Sequence, residues 1–151
     1  MKFKFGNSTT DAKRYSTFQK KLAITKEADL NSPSDFLPPN QEIPLLSVHF
    51  TQLSKGNKVE IEASAGWTAG FPCEPATIKL TVRRNPDILV AETEDSTQDL
   101  QMQKTTALTG SETLSDNAEL AIYTLYASTE QAQRIRMSGS FRLRAVVRLN
   151  I

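Results

Sequence analysis

The stretch from Ile135 to Ile151 restricts the fold more than any other part of the chain. Ile135, Met137, Gly139, Phe141, Leu143, Ala145, Val147, Leu149 and Ile151 occupy alternate positions. Arg134, Arg136, Ser138, Ser140, Arg142, Arg144, Val146, Arg148 and Asn150 occupy the positions between them. A helix turns about 100° per residue and would scatter both sets around its circumference. A strand sends successive side chains to opposite faces and sorts them cleanly. One apolar face and one arginine-bearing face describe a strand of an antiparallel sheet, packed on a core on one side. Gly139 interrupts the apolar row and marks a bulge or a break between two strands.

The same period of two runs back to Pro44. Leu46, Val48 and Phe50 alternate with Ser47, His49 and Thr51, and the turn Lys55-Gly56-Asn57-Lys58 follows. Val59, Ile61, Ala63, Ala65 and Trp67 alternate with Glu60, Glu62, Ser64 and Gly66. Ile78, Leu80 and Val82 lead to a turn at Arg84-Asn85-Pro86-Asp87, then come Ile88 and Val90 and a polar stretch to Lys104. Thr105–Thr109 reads as a short strand ahead of a turn at Gly110, and Leu120–Ala127 is a strand rich in Tyr, Ile and Leu. Seven or eight short strands separated by turn signals predict an all-β chain, an antiparallel jelly-roll sandwich with an extended N-terminal arm. At 151 residues the chain holds one ordinary core rather than two.

The boundary falls near residue 40, giving an arm at 1–40 and a jelly-roll domain at 41–151. The first segment has weak periodicity and is closed by Asn31-Ser32-Pro33-Ser34 and Pro38-Pro39. Proline lacks an amide hydrogen and restricts its predecessor, so no regular element runs through there. Phe3 and Phe5 alternate with Lys2 and Lys4 as in a short strand, whereas Phe18, Leu22, Ala23 and Ile24 offer a turn or two of helix. The arm is read as disordered alone or ordered by docking on a neighbouring subunit, with Phe3, Phe5, Tyr15 and Phe18 as the contacts in that case. The N-terminus has no apolar core, so no secretory signal peptide is expected, and no run of about 18 apolar residues exists to span a bilayer.

Charge is distributed in blocks. Residues 1–30 carry +4, residues 31–130 carry −8 and residues 131–151 carry +5, within a net charge of +1. A basic arm, an acidic body and a basic final strand can satisfy one another within one assembly.

Catalytic side chains are sparse. His49 is the single histidine and lies on the polar side of its strand; Cys73 is the single cysteine, in the turn-rich stretch Gly70–Pro75. No motif joins them as nucleophile and base, and one cysteine excludes an internal disulfide while leaving Cys73 available as an intermolecular cross-link. Zinc spacing and a phosphate-cradling loop are absent, and Glu92, Glu94, Asp95 and Asp99 lack the glycine and terminal glutamate of a calcium loop. No enzyme, cofactor or metal is expected.

The arginines at 134, 136, 142, 144 and 148 project from one face, about 7 Å apart where they alternate. They suit either a polyanion or acidic rows such as Glu60 with Glu62, or Glu92 with Glu94, across the sheet or a subunit interface. The face carries no interleaved aromatics, which favours pairing and makes nucleic acid an unlikely partner. The expected subunit interface is therefore Arg134, Arg136, Arg142, Arg144 and Arg148 with Phe141, Leu143, Val147, Leu149 and Ile151.

The runs Val59–Trp67, Ala76–Arg84 and Ile122–Ala127, with the closing strand, resemble the tumour necrosis factor/complement-like jelly roll. They are most similar to the compact forms in firmicute exosporium collagen-like glycoprotein heads and endospore appendage fibre subunits. The resemblance covers about residues 44–151 and implies a homotrimer with the final strand near the threefold axis and no catalytic residues. It further implies a structural role at a spore or appendage surface, in contact with copies of itself and with other surface proteins. The chain lacks a collagen repeat and a cysteine-rich leader, and has the basic arm instead. A viral or phage particle protein (capsid, decoration or fibre tip) is the competing expectation, with the arm or the arginine ladder on a polyanion.

Overall fold

In a computed structural model of the chain, residues 23–31, 36–70, 75–98 and 103–149 are described, the first of these segments through its backbone alone. Eight strands make up the order: β1 (Ala23–Asn31), β2 (Ile43–Leu53), β3 (Lys58–Ala69), β4 (Ala76–Arg84), β5 (Ile88–Thr97), β6 (Gln103–Thr113), β7 (Ala118–Ser128) and β8 (Ile135–Arg148). They form two antiparallel sheets, β1-β8-β3-β6 and β2-β7-β4-β5, packed face to face. This is the jelly roll the alternation predicts, with no helix among the described residues.

The register explains the topology. Ala23 faces Arg148, Leu46 faces Leu125, Lys58 faces Thr113 and Ala76 faces Thr97. Each pair is placed almost symmetrically about the turn at Asn85–Asp87, so the chain behaves as one long hairpin folded at that turn and rolled into two sheets. Asn85 (φ 50°) makes the pivot. Its amide N donates to the Ile122 carbonyl at 2.9 Å, its Oδ1 accepts from Ile122 N at 2.8 Å, and its Nδ2 donates to the Leu120 carbonyl at 3.0 Å. The asparagine side chain thereby continues the β4–β7 ladder past the end of β4, a use of local side-chain bonding typical of this residue in turns.

The core follows the alternation. Trp67, Tyr123, Phe141, Ile61, Ile78, Leu80, Leu125 and Leu143 are fully buried between the sheets, each large apolar side chain contributing about 1.5–3 kcal/mol. The interruption in β8 is a bulge rather than a chain break. Ala65 pairs with Phe141 and Trp67 with Met137, so β8 carries extra residues where β3 has Gly66 alone. Gly139 there has φ +82°, and a Cβ on Gly66 would stand 2.2 Å from the Ser138 carbonyl oxygen. At Gly66 backbone meets backbone, and at Gly139 the left-handed φ calls for a glycine. The bulge keeps Met137 and Phe141 on the same side, and the apolar row stays inward.

Two polar networks tie the sheets. Arg84 (β4) donates from Nε to Glu112 Oε2 at 2.7 Å and from Nη2 to Oε1 at 3.2 Å; Glu112 (β6) also accepts from the Tyr123 hydroxyl (β7) at 2.8 Å. The hydrogen bond to Glu112 holds the guanidinium above its ordinary value against the opposing effect of burial. Burial, and then the neighbouring carboxylate, keep the Tyr123 phenol neutral far above the usual phenol range. Further along the β5–β6 side, Trp67 Nε1 donates to Thr106 Oγ1 at 2.8 Å and Thr106 donates to Asp95 Oδ2 at 2.6 Å.

Several sequence expectations are corrected. A strand, β1, lies inside the segment assigned to an arm, and it runs antiparallel to β8. Ala23 and Ile24 are strand, not helix. The sequence Ala-Ile-Thr-Lys-Glu-Ala-Asp-Leu-Asn breaks strict apolar alternation, and β1 takes its conformation from the ladder on β8. Leu37 is also part of the domain: it is buried, and its N donates to the Ile135 carbonyl at 2.8 Å. Gly110 sits within β6 rather than in a turn, its α-carbon close against Ala91. Lastly, β5 extends to Thr97, into the polar stretch that follows Val90.

Candidate functional site

The outer face of the first sheet carries the arginine ladder. Arg144 Nη1 lies 3.5 Å from Glu62 Oε1 and Arg148 Nε lies 3.0 Å from Glu60 Oε1, with Lys58 Nζ 3.8 Å from the other Glu60 oxygen. The two arginine pairs cross from β8 to β3, onto the acidic row Glu60–Glu62. In the register, Glu27 and Asp29 of β1 stand opposite Arg144 and Arg142. The other row, Glu92 and Glu94, belongs to the second sheet, where Lys79 Nζ lies 3.4 Å from Glu92. Arg136 stacks over the Phe36 ring with its guanidinium carbon 4.4 Å from the centroid, a favourable cation–π arrangement. Arg134 precedes β8 rather than standing in it, half-buried, and its carbonyl accepts from Gly70 N at 2.6 Å.

The apolar part of the expected interface lies elsewhere. Phe141, Leu143 and Val147 face inward and are buried in this chain's own core, and Leu149 packs against that core half-exposed. Burial against the second sheet uses up the surface these side chains were expected to offer a neighbour. Ile151, Cys73 and the arm residues Phe3, Phe5, Tyr15 and Phe18 lie outside the described residues.

The second sheet is different. Leu120 and Ile122 project outward from β7 and Leu89 from β5, with 48%, 36% and 48% of their surfaces exposed. Thr51 and His49 of β2 stand opposite Leu120 and Ile122, and Ser47 bonds Thr124 through their hydroxyls at 2.8 Å. This row was missed as a surface feature. Its signal was present in the run Leu120–Ala127, which is apolar on both faces of a strand whose core needs one. His49 is exposed on this face, with Ile122 as its cross-strand neighbour. Among the described residues no three His, Cys, Asp or Glu side chains gather closely enough to hold a metal ion, and no helix is long and apolar enough to cross a membrane.

At the other end of that outer face, a cleft of 580 Å³ is lined by Asn40–Glu42, Thr77, Lys79, Glu94 and Ser128–Gln131. The Glu42 carboxylate is held by the Thr81 hydroxyl at 3.1 Å and by Arg83 Nε at 3.1 Å.

No protein-family model matches the chain, and no curated protein matches it in sequence. Solved structures do match its fold. A chain of the T13 viral particle of infectious bursal disease virus superposes with a TM-score of 0.52 at 7% identity, covering 84% of this chain and 36% of the viral one. The VP2 subviral particle of the same virus gives 0.49 at 9% identity, covering 83% and 32%. The globular domain of zebrafish complement 1qA protein gives 0.36 at 9% identity, covering 82% and 94%. The chain thus spans about a third of the viral proteins it resembles.

Proposed function

We propose that the chain is a non-enzymatic structural protein that assembles with copies of itself, as a homotrimer, at the surface of a spore, appendage or particle. The observation that carries this reading is the exposure of Leu89, Leu120 and Ile122 on the outer face of the second sheet, whose own core is already complete. A sheet face of this kind packs against another sheet or strand, about 10 Å away, rather than enclosing a substrate. A second copy of the chain is the partner we assign to it. The arginine ladder is the second contact we propose, engaged after its glutamates by a neighbour's surface. The part of the arm ahead of β1 links one trimer to the next, through Phe3, Phe5, Tyr15 and Phe18, with Cys73 as a cross-link.

Light scattering coupled to size exclusion tests this directly. The parent chain is expected as a trimer or a series of trimers, and Leu120→Arg with Ile122→Arg as a folded monomer. A parent chain that stays monomeric at every concentration overturns the proposal. A second reading, a viral or phage particle protein, is favoured by the cations Lys2, Lys4, Lys13, Arg14, Lys20 and Lys21 set against Asp11 ahead of β1. That reading requires salt-sensitive nucleic-acid binding lost on deletion of residues 1–22.

A further inference from the structure

The cleft on the second sheet has a chemistry that assembly does not use. Its floor is a cross-strand row, Glu94 opposite Lys79 and Lys79 opposite Ser128, with Thr77 beside it on β4. Its walls are the lead-in to β2 and the loop after β7, and they are tied together and to the floor. Asn40 N donates to the Thr129 carbonyl at 2.7 Å, and Thr129 Oγ1 donates to the Thr77 carbonyl at 2.8 Å. The Gln131 amide accepts from Thr77 N at 2.9 Å and donates to the Pro75 carbonyl at 2.9 Å. With Glu42 clamped by Thr81 and Arg83, walls and floor are set before any ligand arrives, which lowers the ordering cost of binding.

All ten lining residues carry a hydrogen-bonding side chain, and none is aliphatic or aromatic. An apolar ligand would leave the hydrogen-bonding groups of that lining without partners. An anion would meet the carboxylates of Glu42, Glu94 and Glu130 against the single ammonium of Lys79, itself 3.4 Å from Glu92. What fits is a ligand with many hydroxyl donors and no negative charge, since a carboxylate accepts from two neighbouring hydroxyls and an amide both donates and accepts. The volume lies within the range of small-molecule sites.

We propose that this cleft binds a short saccharide without acidic groups, held by Glu94, Glu130 and Ser128 against the Asn40–Glu42 wall. Without an aromatic ring to stack on, the expected affinity is about millimolar. The site is independent of the assembly reading: Ser128 lies about 20 Å along β7 from Ile122, and a monomeric variant keeps it intact.

The test is a nitrogen–proton NMR titration of the full chain, in the Leu120→Arg/Ile122→Arg background if assembly broadens the spectra. The probes are methyl glycosides of neutral hexoses and of N-acetylhexosamines, with sulfated glycosides as the anionic counterpart. Saturable shifts confined to Asn40–Glu42, Thr77–Lys79, Glu94 and Ser128–Gln131 are expected. Glu94→Gln with Glu130→Gln, both at exposed positions, is expected to weaken binding about tenfold while leaving the remaining spectrum in place. Absence of saturable shifts with every glycoside, shifts at another surface, preference for sulfated probes, or unchanged affinity in the double variant would each overturn the proposal.

Discussion

Removing the Glu112 carboxylate should open one end of the sandwich. Arg84 and Glu112 keep 14% and 16% of their side-chain exposure, and Tyr123 is buried completely. Glu112→Ala strands a guanidinium and a phenol hydroxyl at once. Breaking a buried ion pair costs about 3–5 kcal/mol, and rim water at the partly exposed pair reduces that to about 2–3 kcal/mol. The stranded hydroxyl adds about 1 kcal/mol. The expected loss is about 3–4 kcal/mol, or about 10–15 °C in Tm for a domain of this size. Urea unfolding followed by the fluorescence of Trp67, the single tryptophan and fully buried, measures it. The triple variant Arg84→Met, Glu112→Leu and Tyr123→Phe removes the charges and the hydroxyl together, and is expected within about 2 kcal/mol of the parent. A loss below about 1 kcal/mol in Glu112→Ala, with no coupling in the Arg84–Glu112 cycle, would refute the view that the pair is shielded from water.

Two further outcomes follow from the same electrostatics. Burial raises the Asp95 carboxyl, but hydrogen bonds from Thr106, Lys104 and the Ser96 amide outweigh it and hold the group below its ordinary value. A depressed folded value supplies stability that is fully present above the unfolded value near about 3.9 and is lost as pH falls through the folded one. Asp95→Asn should therefore flatten the acid limb of the pH–stability profile, and an unchanged limb would remove Asp95 from the account. Arg144→Ala and Arg148→Ala break exposed pairs and should each cost less than about 1 kcal/mol in the isolated protomer; a larger loss that grows with protein concentration would instead place the ladder inside a subunit contact.

How much the sequence revealed depended on what each signal could carry. Alternation in Val59–Trp67, Ile78–Val82 and Ile135–Val147 identified strands and their inward residues, because one buried face imposes a period of two. It could not say what covers that face. Phe141, Leu143 and Val147 were therefore assigned to a neighbour when they pack against the second sheet of the same chain. For β1 and the far end of β5 the period was weak, since edge strands carry polar residues on both sides and take their conformation from a ladder partner. Gly110 looked like a turn because glycine punctuates turns, yet here it gives space to Ala91 across the sheet pair. The cleft was invisible because its walls come from two loops far apart in sequence, brought together by the rolled hairpin.

That hairpin also resolves the charge blocks. Folding about Asn85 sets β8 between β1 and β3, so the most basic strand lies between the glutamates of β3 and, in register, Glu27 and Asp29 of β1. Within the excess of +5 in residues 131–151, Arg144 and Arg148 are paired with Glu62 and Glu60 from a distant part of the chain. At Arg144 and Arg148 a phosphate contact would have to displace an existing carboxylate. Apolar surface has no such internal partner. The row on β7 and β5 gains from burial without giving up an ion pair, and assembly through the second sheet costs the protomer less than assembly through the ladder.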